Sequence, residues 1–335
     1  MAITTNGFST YAQIGIKEEV SNIITNLTPD ETPFYSNVKK QKIKNRLYEW
    51  QTDTLDAPTT TTTLEGDDVT PATTTATTLL NNRTQISTKS LAVTDTSRAV
   101  ATYGRGDEYE YQIMKRGREL KTMVEIGLLK NTAKATGGTA TTRVCAGLVT
   151  YITNFGAGTA QAGTGSTAID TGTALVLTAL TYAMCATTMT QTFQAGGNVT
   201  QMMLPPILKR SFSSLAFSST PSTADVRYQL TSAKPAVAIG TVETWLSDFG
   251  TVDVVVNRQM ARVTGSGTGG TAGTESDLNN MIYFIDPANV SCGTLQATEV
   301  EPMAKIGLSD RAFIKTEYTL IVNGPTAHGA VLNVT

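Results

Sequence analysis

The sequence predicts an α+β protein, and three observations carry the prediction. The run "DEYEYQIMKRGRELKTMVEIGLLKN", residues 107–131, keeps one face apolar at helical spacing. Shorter segments such as "VTQMMLPP", "MIYFIDP" and "RAFIKTEYTLIVNG" read as strands scattered among helical ones. The third is "DAPTTTTTLEGDDVTPATTTATT" from Asp56 to Thr78, strand-prone by its threonines yet with almost nothing to bury. The composition agrees with a globular chain of one large or two ordinary domains: 335 residues, 40% hydrophobic and 16% charged. A surface so poor in charge suits one covered by other chains.

Each element can be justified in chain order. Residues 1–38 form an N-terminal arm with a helical pattern in "GIKEEVSNIITNL", where Ile16, Val20, Ile23 and Ile24 recur, and Pro29 and Pro33 break it. "KKQKIKNRLYEW" starts basic and turns strand-like at Leu47–Trp50. Beyond the threonine arm, "RTQISTKSLAVTDTSRAV" alternates Leu91 and Val93 with polar residues. Residues 45–100 therefore read as a long two-stranded hairpin with a polar tip. An isolated ribbon of this kind is marginal in water and needs a surface to lie on.

In the long helix, Tyr109, Ile113, Leu120, Val124 and Leu128 make the apolar face. Asp107, Glu108 and Glu110 in its first turn and Lys130 in its last suit the helix dipole. Some 25 residues span roughly 37 Å, the length of a structural spine. A second short helix is expected over "TTRVCAGLVTYI", then a loop over "NFGAGTAQAGTGSTAIDTG". "ALVLTALTYAMCATTMTQTF" reads as a buried helix stopped at Gly196-Gly197, and "ILKRSFSSL" as a short helix after the "VTQMMLPP" strand. "KPAVAIGTVETWLSDFGTVDVVVNR" reads as two strands joined near Ser247–Gly250, followed by a glycine-threonine loop at 264–274.

The composition also excludes function classes. Net charge is −2, whereas a protein that grips phosphates tightly needs a basic excess. The start "MAITTNGFSTYAQ" lacks the basic and apolar regions of a signal peptide, and no run approaches a membrane span. Cys145, Cys185 and Cys292 are odd in number and far apart, as expected of reduced, buried residues in a protein folded in the cytoplasm. His328 is the only histidine, and no nucleophile-elbow pattern accompanies it, so it reads as structural or exposed. Histidine and cysteine metal sites need clustered ligands, which are absent. "GSGTGG" at 265–270 matches G-x-G-x-x-G, but loop chemistry follows it where a helix should open. "LEGDD" lacks the donor spacing of a calcium loop. No cofactor, metal or catalytic set is expected.

The order and spacing of "YAQIGIKEEVSNIITNLTPDETPF", "YEWQTDTL", "TTRVCAGLVTYI", "SDFGTVDVVVNR" and "EYTLIVNGPTAHG" resemble phrases of the major capsid proteins of tailed bacteriophages. The likeness runs from about residue 11 to 329 and is to a family of podovirus and siphovirus capsid proteins. It implies the tailed-phage capsid fold: an N-arm at 1–44, an extended loop at 45–100 lying across a neighbouring subunit, a peripheral domain at 101–155 and 290–335 built on the spine helix, and an axial domain at 156–289. It further implies hexamers and pentamers closing into an icosahedral shell around double-stranded DNA held non-specifically. Assembly in the host cytoplasm, a portal protein, and decoration or scaffolding proteins as further partners belong to the same picture, with no membrane. Two features depart from the wider fold. No lysine lies between Lys44 and Lys89, so the loop tip offers no amine for an isopeptide cross-link. Only about forty residues precede the hairpin, so scaffolding is expected to come from a separate protein. Two other classes, a threonine-rich hydrolase with an insertion and a tail-tube or decoration protein, are the alternatives.

One contact set follows from charge. Leu64, Glu65, Asp67 and Asp68 are the expected contact residues at the tip, with Glu65, Asp67 and Asp68 an acidic knot, and Lys39, Lys40, Lys42, Lys44 and Arg46 form the densest basic run. An extended arm of about 20 residues carries the knot up to roughly 65 Å away at ~3.3 Å per residue. The two clusters are therefore expected to meet only between chains.

Overall fold

In a computed structural model, the described residues are 28–58, 60, 62–68, 71, 73–104, 106–157, 163–169, 178–216, 242–262 and 278–335. The helical pattern at 15–27 and the glycine-threonine loop at 264–274 lie outside them. In chain order the elements are α1 (Pro33–Asn37), β1 (Lys39–Lys42), β2 (Leu47–Thr52), β3 (Thr78–Arg83), β4 (Gln85–Thr94), α2 (Asp95–Ala99), α3 (Glu108–Leu129), β5 (Asn154–Ala157), α4 (Tyr182–Gln194), β6 (Gln201–Leu204), α5 (Pro206–Ala216), β7 (Thr244–Ser247), β8 (Gly250–Val256), β9 (Met281–Ile285), β10 (Val290–Met303), β11 (Ser309–Val322) and β12 (Gly329–Leu332). The α+β expectation holds.

The strands form three sheets. A four-stranded sheet runs β1-β10-β11-β4, a six-stranded one β5-β12-β9-β6-β8-β7, and β2-β3 is a two-stranded ribbon. The ribbon expected over 45–100 is thus confined to 47–83, with Leu47 opposite Arg83 and Thr52 opposite Thr78. β4 does not continue it. It pairs antiparallel with β11, Ser309 opposite Thr94 and Tyr318 opposite Gln85. Period-2 alternation had marked β4 correctly as a strand, but alternation carries no information about the partner, here more than 200 residues away. β12 likewise leaves the neighbouring β11 and sits between β5 and β9.

The spine helix is 22 residues long, about 33 Å. Asp107 lies one position before it as the N-cap, accepting from the Tyr109 N–H at 2.9 Å, and Lys130 lies one position past its end. Its apolar face serves two cores. Tyr109 and Ile113 pack on a small cluster of Leu91, Val93 and Ala312. Val124 and Leu128 belong to the main core with Phe34, Tyr151, Tyr283, Tyr318 and Leu320, and Leu120 between the two groups is 1% exposed. Gly127 is where α3 comes closest to β11: a Cβ there would strike the Tyr318 hydroxyl. A second core gathers Cys185, Met189, Met202, Leu208, Phe212 and Trp245 beneath α4 and α5.

One local expectation is corrected. "TTRVCAGLVTYI" is not a helix. It is extended, buried from Cys145 to Ile152, with only a single 3₁₀ turn at Leu148–Thr150. A short apolar run fits a buried extended segment as well as a helix. The helix that Pro29 and Pro33 are expected to break lies outside the described residues; Pro33 itself occupies the first turn of α1, where a missing N–H costs nothing. By contrast α4 starts at an N-cap, Thr181, whose hydroxyl accepts from Met184 N–H, and stops before Gly196 at φ +83°. The three cysteines are free and buried. His328 is structural, fully buried, its Nδ1 accepting from the Asp286 N–H at 3.2 Å.

Candidate assembly interface

The threonine arm is anchored at a rigid base. Trp50 and Leu80 face each other across the ribbon and both enter the main core. Trp50 also packs on Tyr151, ring centroids 5.8 Å apart. Next to them Asn82 is fully buried and saturates its amide: its Nδ2 donates to the Leu320 carbonyl at 2.7 Å, and its Oδ1 accepts from the Ala146 N–H at 3.0 Å. The Tyr151 hydroxyl and the Lys134 ammonium both donate to the Asn81 carbonyl, at 2.9 and 3.1 Å. The partial burial of Lys134 pulls its pKa below the usual lysine range. The Thr84 hydroxyl and Arg143 both bond to Glu317, each at 2.6 Å. The paired polar groups around Asn81, Asn82 and Glu317 fix one geometry. The ribbon therefore leaves the body in a set direction.

Beyond this base the arm makes no contact with its own core. Every described residue from Asp53 to Leu79 is exposed, Leu55 at 99% and Leu64 at 81%. At the tip, the Asp67 N–H donates to the Leu64 carbonyl at 3.1 Å across a turn that puts Gly66 at φ +87°, a conformation costly for residues with a Cβ. That turn gathers Glu65, Asp67 and Asp68. From Leu47 to Asn82 the chain has six carboxylates and no lysine or arginine. An apolar side chain exposed on an acidic, extended strand has no use in an isolated subunit.

The basic run sits elsewhere. Lys39, Lys40 and Lys42 are on β1, and Lys44 and Arg46 on the link to β2; all five are exposed. Lys40 Nζ lies 4.2 Å from the centre of the Tyr35 ring. Among the described residues no ion pair joins this run to the acidic knot, in agreement with the reach argument. The structure thus brings the members of each cluster together and keeps the two clusters apart within one chain. Of the spine-face residues, Val124 and Leu128 share the main core with Trp50 and Leu80 of the base.

Sequence reading missed a further junction. Glu125, on α3, is fully buried and accepts from the Phe34 and Tyr35 N–H groups at 2.9 and 2.6 Å and from Asn257 Nδ2 at 2.7 Å. Gln259 Nε2 donates to the Pro29 and Glu31 carbonyls. Together they tie residues 29–35 to the spine and to the loop after β8. Burial pushes the Glu125 carboxyl above the usual carboxylate range, opposed by its three hydrogen bonds. Glutamate inside an amphipathic helix reads as a solvated position, and its partners lie about 90 and 130 residues away, so no local signal announced it.

Among the described residues no group of three or more His, Cys, Asp or Glu side chains could hold a metal ion, and no helix is long and apolar enough to cross a membrane. A groove of about 340 Å³ between β4 and α3 is lined by Leu91, Val93, Ser97, Glu108, Gln112 and Arg116, without a histidine or cysteine to activate a hydroxyl.

Comparison with known proteins gives a consistent answer. The family model described as SU10 major capsid protein matches residues 3–335. The major capsid protein of Escherichia phage Phieco32 is 37% identical over 128 residues, 38% of this chain and 36% of that protein's length. Among solved structures, the capsid of a native GTA particle superposes with a TM-score of 0.60 at 10% identity, covering 99% of this chain and 100% of that one. The Phage G structure of major capsid and decoration proteins gives 0.53 at 10% identity over the whole of both chains. The SrpI encapsulin of Synechococcus elongatus gives 0.53 at 9% identity, covering 96% and 92%. At these identities the structures establish the fold, which phage capsids share with an encapsulin. The family match is what chooses between them.

Proposed function

The chain belongs to the SU10 major capsid protein family, and we propose that its copies assemble through hexamers and pentamers into the icosahedral shell of a phage virion. Rings form by heterologous contacts that close on themselves, and many weak contacts held together act as a strong one. In this reading residues 1–44 are the N-arm, and the extended loop reaching over a neighbour is the ribbon and arm of 47–83, shorter than the 45–100 expected because β4 joins the subunit's own sheet. Residues 101–153 and 290–322 are the peripheral domain and 156–289 the axial domain, whose sheet also takes in β5 and β12, so the expected boundaries at 155 and 335 are shifted. The one observation that carries it is the arm: clamped at Trp50, Leu80 and Asn82, and exposed at every described residue from Asp53 to Leu79. Its partner is another copy of the chain.

The loop tip meets a neighbour through Leu64 and the acidic knot of Glu65, Asp67 and Asp68, the knot facing that neighbour's basic run. A single exposed pair contributes ~0–1 kcal/mol, so the term matters only through repetition around a closed shell. A net charge of −2 lets the inner face tolerate double-stranded DNA without gripping it. A portal protein, scaffolding or decoration proteins, and assembly in the host cytoplasm complete the proposal, with a structural and not a catalytic role. Size-exclusion chromatography and negative-stain microscopy of the purified chain test it. Shells or capsomer rings are expected; a small monomer that never assembles over a range of concentration and salt would overturn it.

A further inference from the structure

β1 is the last strand of its sheet. It pairs with β10 on one side, Lys39 opposite Ser291 through Lys42 opposite Thr294, and among the described residues no strand pairs with its other side. The Ile43 N–H donates to the Thr294 carbonyl at 3.1 Å. Main-chain groups alternate sides along a strand, so residues 39, 41 and 43 turn toward β10. Lys40, Lys42 and Lys44 then aim their amides and carbonyls outward, along an open edge. All three side chains are exposed, and none makes an ion pair among the described residues.

An open edge is a template for another strand, and lysines on it repel most comers. Five cations at 39–46 reject a second copy of β1 or any basic strand. They do not reject a strand that is acidic, and the arm is one: threonine-rich, extended, exposed, with Asp53, Asp56, Glu65, Asp67 and Asp68 and no cation. We infer that the open edge of β1 is the berth for the arm of a second copy, which joins the sheet there as a further strand. Main-chain bonds to Lys40 and Lys42 hold it, and its carboxylates neutralise the lysines that keep the edge closed to other partners. The inference rests on the reading of the arm as an inter-chain element and adds where it docks and how.

Two measurements test it on the full-length chain. The first compares Lys40→Glu/Lys42→Glu, Glu65→Lys/Asp67→Lys/Asp68→Lys, and the two combined, by sedimentation of assembled shells. Each reversal alone should cut assembly at low salt, the combination should restore it, and about 1 M salt should blunt the differences, because the screening length there is about 3 Å. The second is amide exchange of the unaltered protein, free and assembled. The Lys40 and Lys42 amides should exchange at least roughly tenfold more slowly in shells. If the arm proves essential for assembly but the combined reversal fails to restore it and those amides stay unprotected, the arm docks elsewhere, and this inference falls while the inter-chain reading stands. If shells form equally well without the arm, both fall together.

Discussion

At the residue scale, His328 is where acid should be felt first. Complete burial pushes its pKa down to about 4, and its Nδ1 must stay unprotonated to accept from Asp286. The folded pKa lies below the ordinary 6.5 of the unfolded chain, so the contribution is fully present above pH 6.5 and is lost as pH falls through that value toward 4. It amounts to about 3 kcal/mol. The urea midpoint of the unaltered protein should therefore drop across this window, and that of His328→Asn should drop less; parallel curves would remove His328 from the account. Glu125 contributes with the opposite sign. Its folded pKa is raised, so its share is greatest at low pH and declines as pH rises through the folded value. The sequence allowed His328 to be read as structural because no catalytic pattern surrounded it. Glu125 and Asn82 were beyond reach, since their meaning lies in partners far along the chain.

At the element scale, the spine helix was legible because its signal is local. Tyr109, Ile113, Leu120, Val124 and Leu128 recur at the spacing that one helix face requires, and Asp107 marks the start. Leu120→Pro would remove a mid-helix donor between the two cores the helix joins, a cost of ~3 kcal/mol or more. Insoluble protein is expected; soluble, well-folded subunits by circular dichroism would contradict the spine role. Strand existence was equally legible at β6, β8 and β9. Pairing was not. Leu91 and Val93 announce a strand, but only long-range contact decides that β4 joins β11 and leaves the ribbon. The stretch at 141–152 failed for another reason: from Cys145 to Ile152 burial on all sides erases periodicity, and what remains is an apolar run compatible with either state.

At the scale of the whole molecule, the feature most visible in the sequence is the one a single chain explains least. Residues 53–77 are threonine-rich and acidic, and those the structure describes are all exposed, clear of the subunit's own core, while the ribbon beneath them is locked by Trp50, Leu80 and Asn82. A rigid base and an unpartnered arm make sense when the fold is completed by its neighbours. Deleting Pro58–Thr75 and closing the gap with a short turn leaves every buried contact of the subunit in place. The measurement that bears most directly on this is the denaturant stability of the deletion variant, read both as free subunit and as assembled shell. The subunit should unfold at the midpoint of the full-length chain, and stable shells should be absent. Shells of undiminished stability would show the arm to be a passive insertion.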